Sequence, residues 1–296
     1  LDREQTVRIV ATLVAPLLLW FNSELYADPA AWQVGGDEGQ LWLLGSVHYL
    51  REEDYPLPAV IDKLYEQADI IIMELDLDDL DPVAVQGSFA SAGVLPPNLS
   101  LSSILDAEIY DRTESLATKL GMPMVMLDRI EPWLVSLTLM DLAMSRLGFR
   151  SDQGLEQYLM RRATADNKEI LGLETIEDQI AIFGSLSFQD QAVLLAQSVD
   201  DMESPEKYMS RILDAWRSGT LEDLADEFFD DYVDFPDLEA ALIGNRNARW
   251  ATQLEKILNE DRNYLVVIGA LHLVGNNSVV RMLSDNGIEV TPVGAK

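Results

Sequence analysis

Apolar runs of strand length alternate along the chain with segments of helical pattern, and this alternation restricts the fold more than any other feature. Runs of this length, flanked by Gly, Pro or charged residues, are typical of strands buried on both faces of a parallel sheet. The runs are QLWLLG at 40–45, DIIIMEL at 69–75, PMVML at 123–127, EILGLE at 169–174, YLVVIG at 264–269 and IEVTPV at 288–293. Helical patterns between them cover 57–68, 108–121 and 277–287. The sequence therefore predicts an α/β fold with a mainly parallel central sheet flanked by helices.

Two further stretches have a helical pattern without a convincing strand. One runs from Pro132 to about Leu147, and the other from about Asp190 to Leu258. We expect them to form a helical insertion, or lid, packed beside the sheet in the middle and C-terminal half of the chain. Because 296 residues with 48% hydrophobic composition are enough to bury a core, we expect a single domain over residues 28–296.

The first 27 residues differ in character from the rest. Arg3 and Arg8 precede an uncharged apolar stretch from Ile9 to Phe21, and the small residue Ala27 follows. This order is typical of a secretory signal peptide, and the apolar stretch is shorter than the ~20 residues that a membrane-spanning helix needs. We therefore predict that residues 1–27 are a signal peptide or an N-terminal anchor, and that the protein is secreted or periplasmic.

The charge balance and the absence of cysteine exclude several classes of function. The chain has 51 acidic and 21 basic residues and a formal net charge of −30, whereas nucleic acids and anionic membranes attract a positive protein surface. We expect no nucleic acid as a partner, and no membrane beyond an N-terminal anchor. Without cysteine, neither a thiol nucleophile nor a cysteine-ligated metal centre can form.

The only two histidines of the chain occupy the same local setting near its opposite ends. The segments LWLLGSVHYL and LVVIGALHLV each contain an apolar run, a glycine, two small or apolar residues and a histidine. Gly45 and Gly269 end predicted strands, so His48 and His272 follow the carboxyl ends of those strands. Ligands of open parallel sheets bind at that edge. The two GxxH motifs therefore predict one shared site.

Carboxylates stand at the ends of three other predicted strands. Glu74 lies in DIIIMEL, Glu174 ends EILGLE, and Asp128 follows PMVML with Arg129 beside it. A carboxylate within an apolar run is costly to bury unless it is paired or binds a metal. We expect five strand ends to present side chains to one edge of the sheet, namely those of His48, Glu74, Asp128, Glu174 and His272.

Two imidazoles and one carboxylate are a complete ligand set for a divalent metal. Zinc accepts two histidines and a glutamate with a water in the open position, and the same set suits iron or manganese. Such a metal lowers the pKa of its bound water from 15.7 towards about 7, and Glu174 is the best-placed further carboxylate to take the proton. Taken singly, each residue is also compatible with a structural role, such as an ion pair for Glu74. The matched pair of motifs favours the functional interpretation.

Segments along nearly the whole chain after residue 27 resemble the TraB/GumN family. The family is related to Tiki-type proteases and, more distantly, to erythromycin esterases and ChaN-type haem-binding proteins. The similar segments are 27–34, 41–48, 70–77, 152–163, 169–183, 244–251 and 266–290. The resemblance implies an α/β fold in which the paired GxxH motifs and a strand-end glutamate converge on one site.

The resemblance also implies roles for individual residues. His48, Glu74 and His272 are the core set, and they would bind a divalent ion such as manganese, cobalt or zinc. The supporting residues implied by the family pattern are Glu174, Gln179, Arg246 and Asn247, to which the strand-end argument adds Asp128 and Arg129. Arg246 could stabilise an oxyanion, because its guanidinium is a fixed cation with several donors. Since Tiki-type members are metal-dependent peptidases, the resemblance implies hydrolysis of a peptide, or of another small substrate.

Two alternatives remain at the level of sequence. Leu271 stands where the family usually has a glycine before the second histidine, and a larger side chain would narrow the pocket. This difference favours a module that binds a peptide or haem without turnover. The esterase relatives imply a hydrolase without a metal, in which His48 is the general base.

Overall fold

A six-stranded sheet forms the centre of the computed structural model, which describes residues 30–35, 39–222, 225–226, 229 and 232–294. The strands are β1 (Ala31–Val34), β2 (Leu41–Ser46), β3 (Ile70–Met73), β4 (Glu169–Gly172), β5 (Tyr264–Gly269) and β6 (Val290–Pro292). Their order across the sheet is β4-β3-β5-β2-β1-β6. The signal peptide or anchor predicted for residues 1–27 lies outside the described residues.

The four neighbouring strands β4, β3, β5 and β2 pair in parallel, as the strand–helix alternation predicts. The strands β1 and β6 complete one edge with antiparallel pairings. All residues of β2 and β3 are buried, because helices cover both faces of the sheet. The prediction of a mainly parallel α/β fold is confirmed.

The helices enclose this sheet on both sides. Those whose bounds lie within the described residues are α1 (Ala59–Gln67), α2 (Pro82–Ala92), α3 (Leu101–Ile104), α4 (Ala107–Lys119), α5 (Pro132–Arg146), α6 (Leu155–Asp166), α7 (Ile176–Ser185), α8 (Phe188–Asp201), α9 (Pro205–Ser218), α10 (Pro236–Glu239), α11 (Asn245–Ile257) and α12 (Val279–Asp285). The helices predicted after Pro132 and across 190–258 are present as α5 and as α8, α9, α10 and α11. No helix among the described residues has the length and apolar character needed to cross a membrane.

Alternate residues of the central strands face two separate cores. In β3, Ile71 packs into a large core with residues of α1, α5 and α6, whereas Ile72 packs against Trp250 and Leu254 of α11. Successive side chains of a strand point to opposite faces, so the continuous apolar runs are needed to fill both cores. The carboxyl ends of β2, β3, β4 and β5 are consequently held side by side at one edge.

Two short segments differ from the prediction. The run PMVML is a 3-10 turn at Met124–Met126 rather than a strand. It follows α4 after Gly121, whose φ is +73°, and it has only one apolar contact face: Met124 is buried, whereas Val125 is 80% exposed and Met126 is 61% exposed. Strand β1 was not predicted, because its four residues include a polar Gln33 and it is specified by pairing with β2 and β6.

Candidate functional site

The two GxxH motifs and the end of β3 meet at Gly269. The backbone N–H of Gly269 donates to Glu74 Oε1 at 2.8 Å. A Cβ atom at Gly269 would lie 3.3 Å from Glu74 Oε1, 3.5 Å from His272 Cδ2 and 3.7 Å from His48 Nε2. The three side chains therefore border one small space, which the glycine leaves open. A Cβ at Gly45 would lie 3.2 Å from Ala270, so Gly45 allows the first motif to pack closely on the second.

His48 is held by a buried carboxylate that the sequence did not identify. Its Nδ1 lies 2.6 Å from Glu156 Oε1, and the hydroxyl of Ser46 donates to the same oxygen at 2.5 Å. Glu156 is only 8% exposed, whereas the His48 side chain is 59% exposed. The negative charge of Glu156 raises the pKa of His48 above its ordinary value, and solvent around the exposed ring screens this effect.

His272 is buried, and its Nδ1 faces a neutral amide group. Its Nδ1 is 2.6 Å from Asn247 Oδ1, and the amide group of Asn247 donates to Asn277 O at 2.6 Å. The ring centroid lies 4.5 Å from that of Trp250. Burial lowers the pKa of His272 to about 4, although the nearby Glu74 carboxylate acts in the opposite direction. This imidazole is therefore neutral at pH 7.

Arg246 connects the carboxylates of the site to His272. Its Nη2 donates to Glu74 Oε2 at 2.6 Å and to Glu174 Oε1 at 2.5 Å, and its Nη1 lies 3.1 Å from His272 Nε2. Its Nε is 3.3 Å from Glu174 Oε2, so the contact with Glu174 is bidentate. The guanidinium also stacks over Trp250 at 4.6 Å. Arg246 and Glu74 are each 12% exposed at the side chain, and Glu174 is 2% exposed.

These contacts keep Glu74 ionised. Burial opposes ionisation, but the nearby imidazoles and the Arg246 guanidinium outweigh it and lower the pKa of Glu74 to about 2. Gln179, in the first half of α7, donates to Glu174 Oε1 at 3.0 Å and to Glu74 Oε2 at 3.4 Å. Gln179 therefore links the two carboxylates, Glu74 and Glu174.

Arg246 and Asn247 are consecutive residues in the first turn of α11 and serve different partners. Arg246 faces the carboxylates, and Asn247 is fully buried against His272. A π-helical turn at Ala240–Gly244 precedes them, and Leu242 O accepts from Arg246 Nη1 at 3.3 Å. Turns of this kind are frequent at functional sites.

Asp128 and Arg129 do not join this group. The strand end on which their prediction depended is absent, because PMVML forms a 3-10 turn. The guanidinium of Arg129 instead donates to carbonyl groups of the 95–99 loop, including Pro96 O at 3.0 Å. The backbone carbonyl of Asp128 accepts from Leu101 N at 2.9 Å. Arg129 therefore holds the 95–99 loop and the Asp128 carbonyl holds the start of α3, and their assignment as site residues is corrected accordingly.

Glu156 contacts His48 but was not among the site residues predicted from the sequence. It lies 108 positions after His48 in the chain and reaches it because the start of α6 packs on the first GxxH motif, where Leu155 N donates to Val47 O at 3.2 Å. The available signal was the small residue Gly154, which stands two positions before Glu156 at the start of a helical pattern. Nothing in the linear pattern connects that signal to His48.

The imidazole and carboxylate groups of the site suit a divalent metal, but in this structure Arg246 contacts two of them. Both histidines have Nδ1 engaged by a side-chain oxygen, so Nε2 is the ring nitrogen that would bind a metal. Arg246 contacts Glu74 Oε2 and His272 Nε2, which are two of the three acceptors that a metal would use. Within the part of the chain that the structure describes, no three His, Asp or Glu residues already form a metal-binding cluster.

The fold and the site together define a class of α/β proteins in which two GxxH histidines and a glutamate meet at the carboxyl edge of a parallel sheet. The chain belongs to the TraB/PrgY/gumN family, whose sequence model matches residues 30–292.

Relatives of this chain include bacterial and animal proteins. The uncharacterized protein YbaP of Escherichia coli K12 is 24% identical over 245 residues, which cover 81% of this chain and 86% of YbaP. The metalloprotease TIKI1 of Danio rerio is 22% identical over 306 residues, covering 86% of this chain and 61% of TIKI1. Human TIKI1 is 24% identical, covering 84% of this chain and 59% of its own length. No solved structure is significantly similar to the chain.

Proposed function

We propose that this protein is a divalent-metal-dependent hydrolase that cleaves peptide bonds. The observation that carries the proposal is the convergence of His48, Glu74 and His272 on the space beside Gly269. The distant similarity to metalloproteases named TIKI1 and TIKI2 supports the choice of reaction. The substrate would be a peptide or another small molecule, and the acidic surface disfavours nucleic acid.

In this proposal, His48 and His272 would bind the metal through Nε2 and Glu74 through a carboxylate oxygen. Manganese, cobalt and zinc all accept this ligand set. A bound metal supplies a polarised carbonyl and a water that ionises near neutral pH. To make its ligands available, Arg246 has to release Glu74 Oε2 and His272 Nε2 while it keeps its bidentate contact with Glu174.

Arg246 and Glu174 then have a joint role. A guanidinium that has left Glu74 still lies at the edge of the site, where its remaining donors can stabilise an oxyanion on the substrate. Both oxygens of Glu174 are engaged by Arg246, and Gln179 adds a further hydrogen bond. Glu174 is therefore better suited to hold Arg246 than to take a proton from water. The Glu74 oxygen that does not bind the metal would then be the proton acceptor.

The test of this proposal is the metal content of purified protein, followed by a peptide cleavage assay. Wild type, His48→Ala and His272→Ala are loaded with manganese, cobalt or zinc, desalted and analysed by plasma mass spectrometry. We expect one equivalent in wild type and none in either histidine variant. Asp128→Asn is the matched control, because Asp128 contacts Leu101 at the start of α3. Wild type that retains no metal, or metal-loaded protein that cleaves no member of a diverse peptide library, would refute the proposal.

A second candidate is a hydrolase that works without a metal. The observation that favours it is the 2.6 Å contact between His48 and Glu156, since a histidine paired with a carboxylate is a typical general base. In this case Arg246 keeps its present contacts and supplies the positive charge of the site. A hydrolysis rate that is unchanged after exhaustive chelation would select this candidate.

The setting of the reaction is also part of the proposal. The apolar stretch of residues 9–21, after two arginines, supports export to the periplasm or the outside of the cell. Fractionation of cells that express the full-length natural protein tests it, with a cytoplasmic enzyme as marker. Recovery of the protein with that marker would contradict export.

A further inference from the structure

The two site histidines are matched in sequence, but their rings have different partners. The Nδ1 of His48 lies against a carboxylate, Glu156, and the Nδ1 of His272 lies against an amide, Asn247, both at 2.6 Å. An ionised carboxylate can only accept hydrogen bonds, whereas an amide side chain can accept or donate. The carboxylate therefore restricts the position of the proton on its histidine ring more strictly than the amide does.

Glu156 determines which nitrogen of His48 carries the proton. Its Oε1 receives both the Ser46 hydroxyl at 2.5 Å and His48 Nδ1 at 2.6 Å. Because the carboxylate has no proton to give, both groups must donate, so Nδ1 carries hydrogen. The Nε2 atom of the singly protonated ring then has its lone pair free. This atom faces the space beside Gly269, next to Glu74.

The carboxylate is held rigidly while the ring it contacts is exposed. Glu156 lies in the first turn of α6 and is 8% exposed. That turn is tied to the first GxxH motif by the bond from Leu155 N to Val47 O. Gly154 lets the two backbones touch, because a Cβ at this position would clash with His48 O. A fixed carboxylate acceptor on Nδ1 is the arrangement expected for orienting the exposed His48 ring.

We propose that Glu156 is a positioning residue that fixes the Nδ1–H tautomer of His48 and so directs its Nε2 lone pair into the site. The catalytic consequence of this role rests on the proposed function, whereas the tautomer does not. Outer partners of this kind typically contribute about 10- to 100-fold to metal affinity or activity. Their contribution arises from the orientation and electron density of the ring rather than from contact with the substrate.

The first experiment determines the tautomer directly and needs neither metal nor substrate. The chain has only two histidines, so long-range ¹H–¹⁵N spectra of the imidazoles contain two ring systems, and His272→Gln assigns them. At a pH where the His48 ring carries one proton, we expect that proton on Nδ1 in wild type. In Glu156→Gln the amide can donate, and we expect His48 to shift towards the Nε2–H form while His272 is unchanged.

Ser46→Ala is the matched control, because it removes the second donor to Glu156 and leaves the carboxylate in place. We expect it to keep the wild-type tautomer. A wild-type His48 protonated at Nε2, or a tautomer that is the same in wild type and Glu156→Gln, would overturn the proposal. The wild-type spectrum decides the question even if a variant does not fold.

The second experiment separates positioning from structure. On a cleaved peptide, we expect Glu156→Gln to lower kcat by about 10- to 100-fold with little change in KM, and Glu156→Asp to restore part of the loss. A changed tautomer with an unchanged kcat would refute the catalytic consequence. If wild type neither binds metal nor cleaves peptides, the proposed function fails, and the ring spectra still decide the role of Glu156.

Discussion

Replacement of Arg246 by methionine removes the central cation of the site and leaves its two carboxylates buried. Glu174 is 2% exposed and Glu74 is 12% exposed at the side chain, and both contact the Nη2 atom. Loss of one partner from a buried ion pair typically costs 3–5 kcal/mol, because the other charge stays desolvated. We therefore expect Arg246→Met to lower the free energy of unfolding by about 3–5 kcal/mol, a large part of the ~5–15 kcal/mol of a typical domain.

The assay is urea unfolding at pH 7, followed by tryptophan fluorescence and circular dichroism. Arg249→Gln is the matched control, because Arg249 lies 3.6 Å from Glu174 but is 51% exposed. An exposed pair of this kind contributes less than about 1 kcal/mol. If Arg246→Met lowers the free energy of unfolding no more than Arg249→Gln does, the buried ion pairs of Arg246 do not stabilise the fold as inferred.

The same variant tests the competition between Arg246 and a metal. Without the guanidinium, Glu74 Oε2 and His272 Nε2 become free acceptors. A ligand at 100 times its Kd stabilises the folded state by about 2.7 kcal/mol. We expect manganese, cobalt or zinc to raise the free energy of unfolding of Arg246→Met by about this amount. We also expect the variant to bind these metals more tightly than wild type does. A metal affinity that falls in Arg246→Met would mean that Arg246 organises the ligands instead of competing for them.

Three further changes test other parts of the structure. Gly269→Ala should abolish metal retention and peptide cleavage while the protein stays folded, because the new methyl group fills the space between the histidines and Glu74. Gly87→Ala is the control, because a methyl group there has no neighbour within 4 Å. Equal activity of the two variants would contradict the assignment of the site to the space beside Gly269. His272 takes up protons below pH ~6.5 when unfolded but only below about 4 when folded, so its contribution to stability falls as the pH drops through this window. Urea unfolding at pH 7 and pH 4 should therefore show a loss that is about 3 kcal/mol smaller in His272→Gln than in wild type, and equal losses would refute the neutral, buried imidazole. Arg129→Ala should lower the free energy of unfolding by about 1–3 kcal/mol through its lost hydrogen bonds to the 95–99 loop and leave the metal content unchanged. A loss of metal in this variant would show that Arg129 does contribute to the site.

Features that depend on local pattern could be predicted well. Strands β2, β3 and β5 are continuous apolar runs because both of their faces are buried, and this requirement is visible in each run by itself. His48, Glu74 and His272 follow such strands, and the carboxyl ends of parallel strands share one edge. Their convergence could therefore be inferred before any contact was known.

Features that depend on packing between distant segments could not be predicted. Glu156 reaches His48 only because α6 begins against the first GxxH motif, and periodicity carries no information about that contact. PMVML was misassigned for a related reason: a short apolar run fits a buried strand or a one-sided turn equally well, and the packing of α4 on its neighbours decides between them. Asp128 and Arg129 were misplaced with it.

The sequence by itself thus determined strands β2, β3 and β5, their parallel arrangement and the three residues that meet at Gly269, because burial on two faces leaves a continuous apolar signature and parallel strands end together. Only the tertiary structure decided the ionic partners, pairing Glu156 with His48 and Arg246 with both Glu74 and Glu174. An ion pair depends on the distance between two charged groups in space, and residues 172 positions apart in the chain acquire that distance only when the helices pack on the sheet.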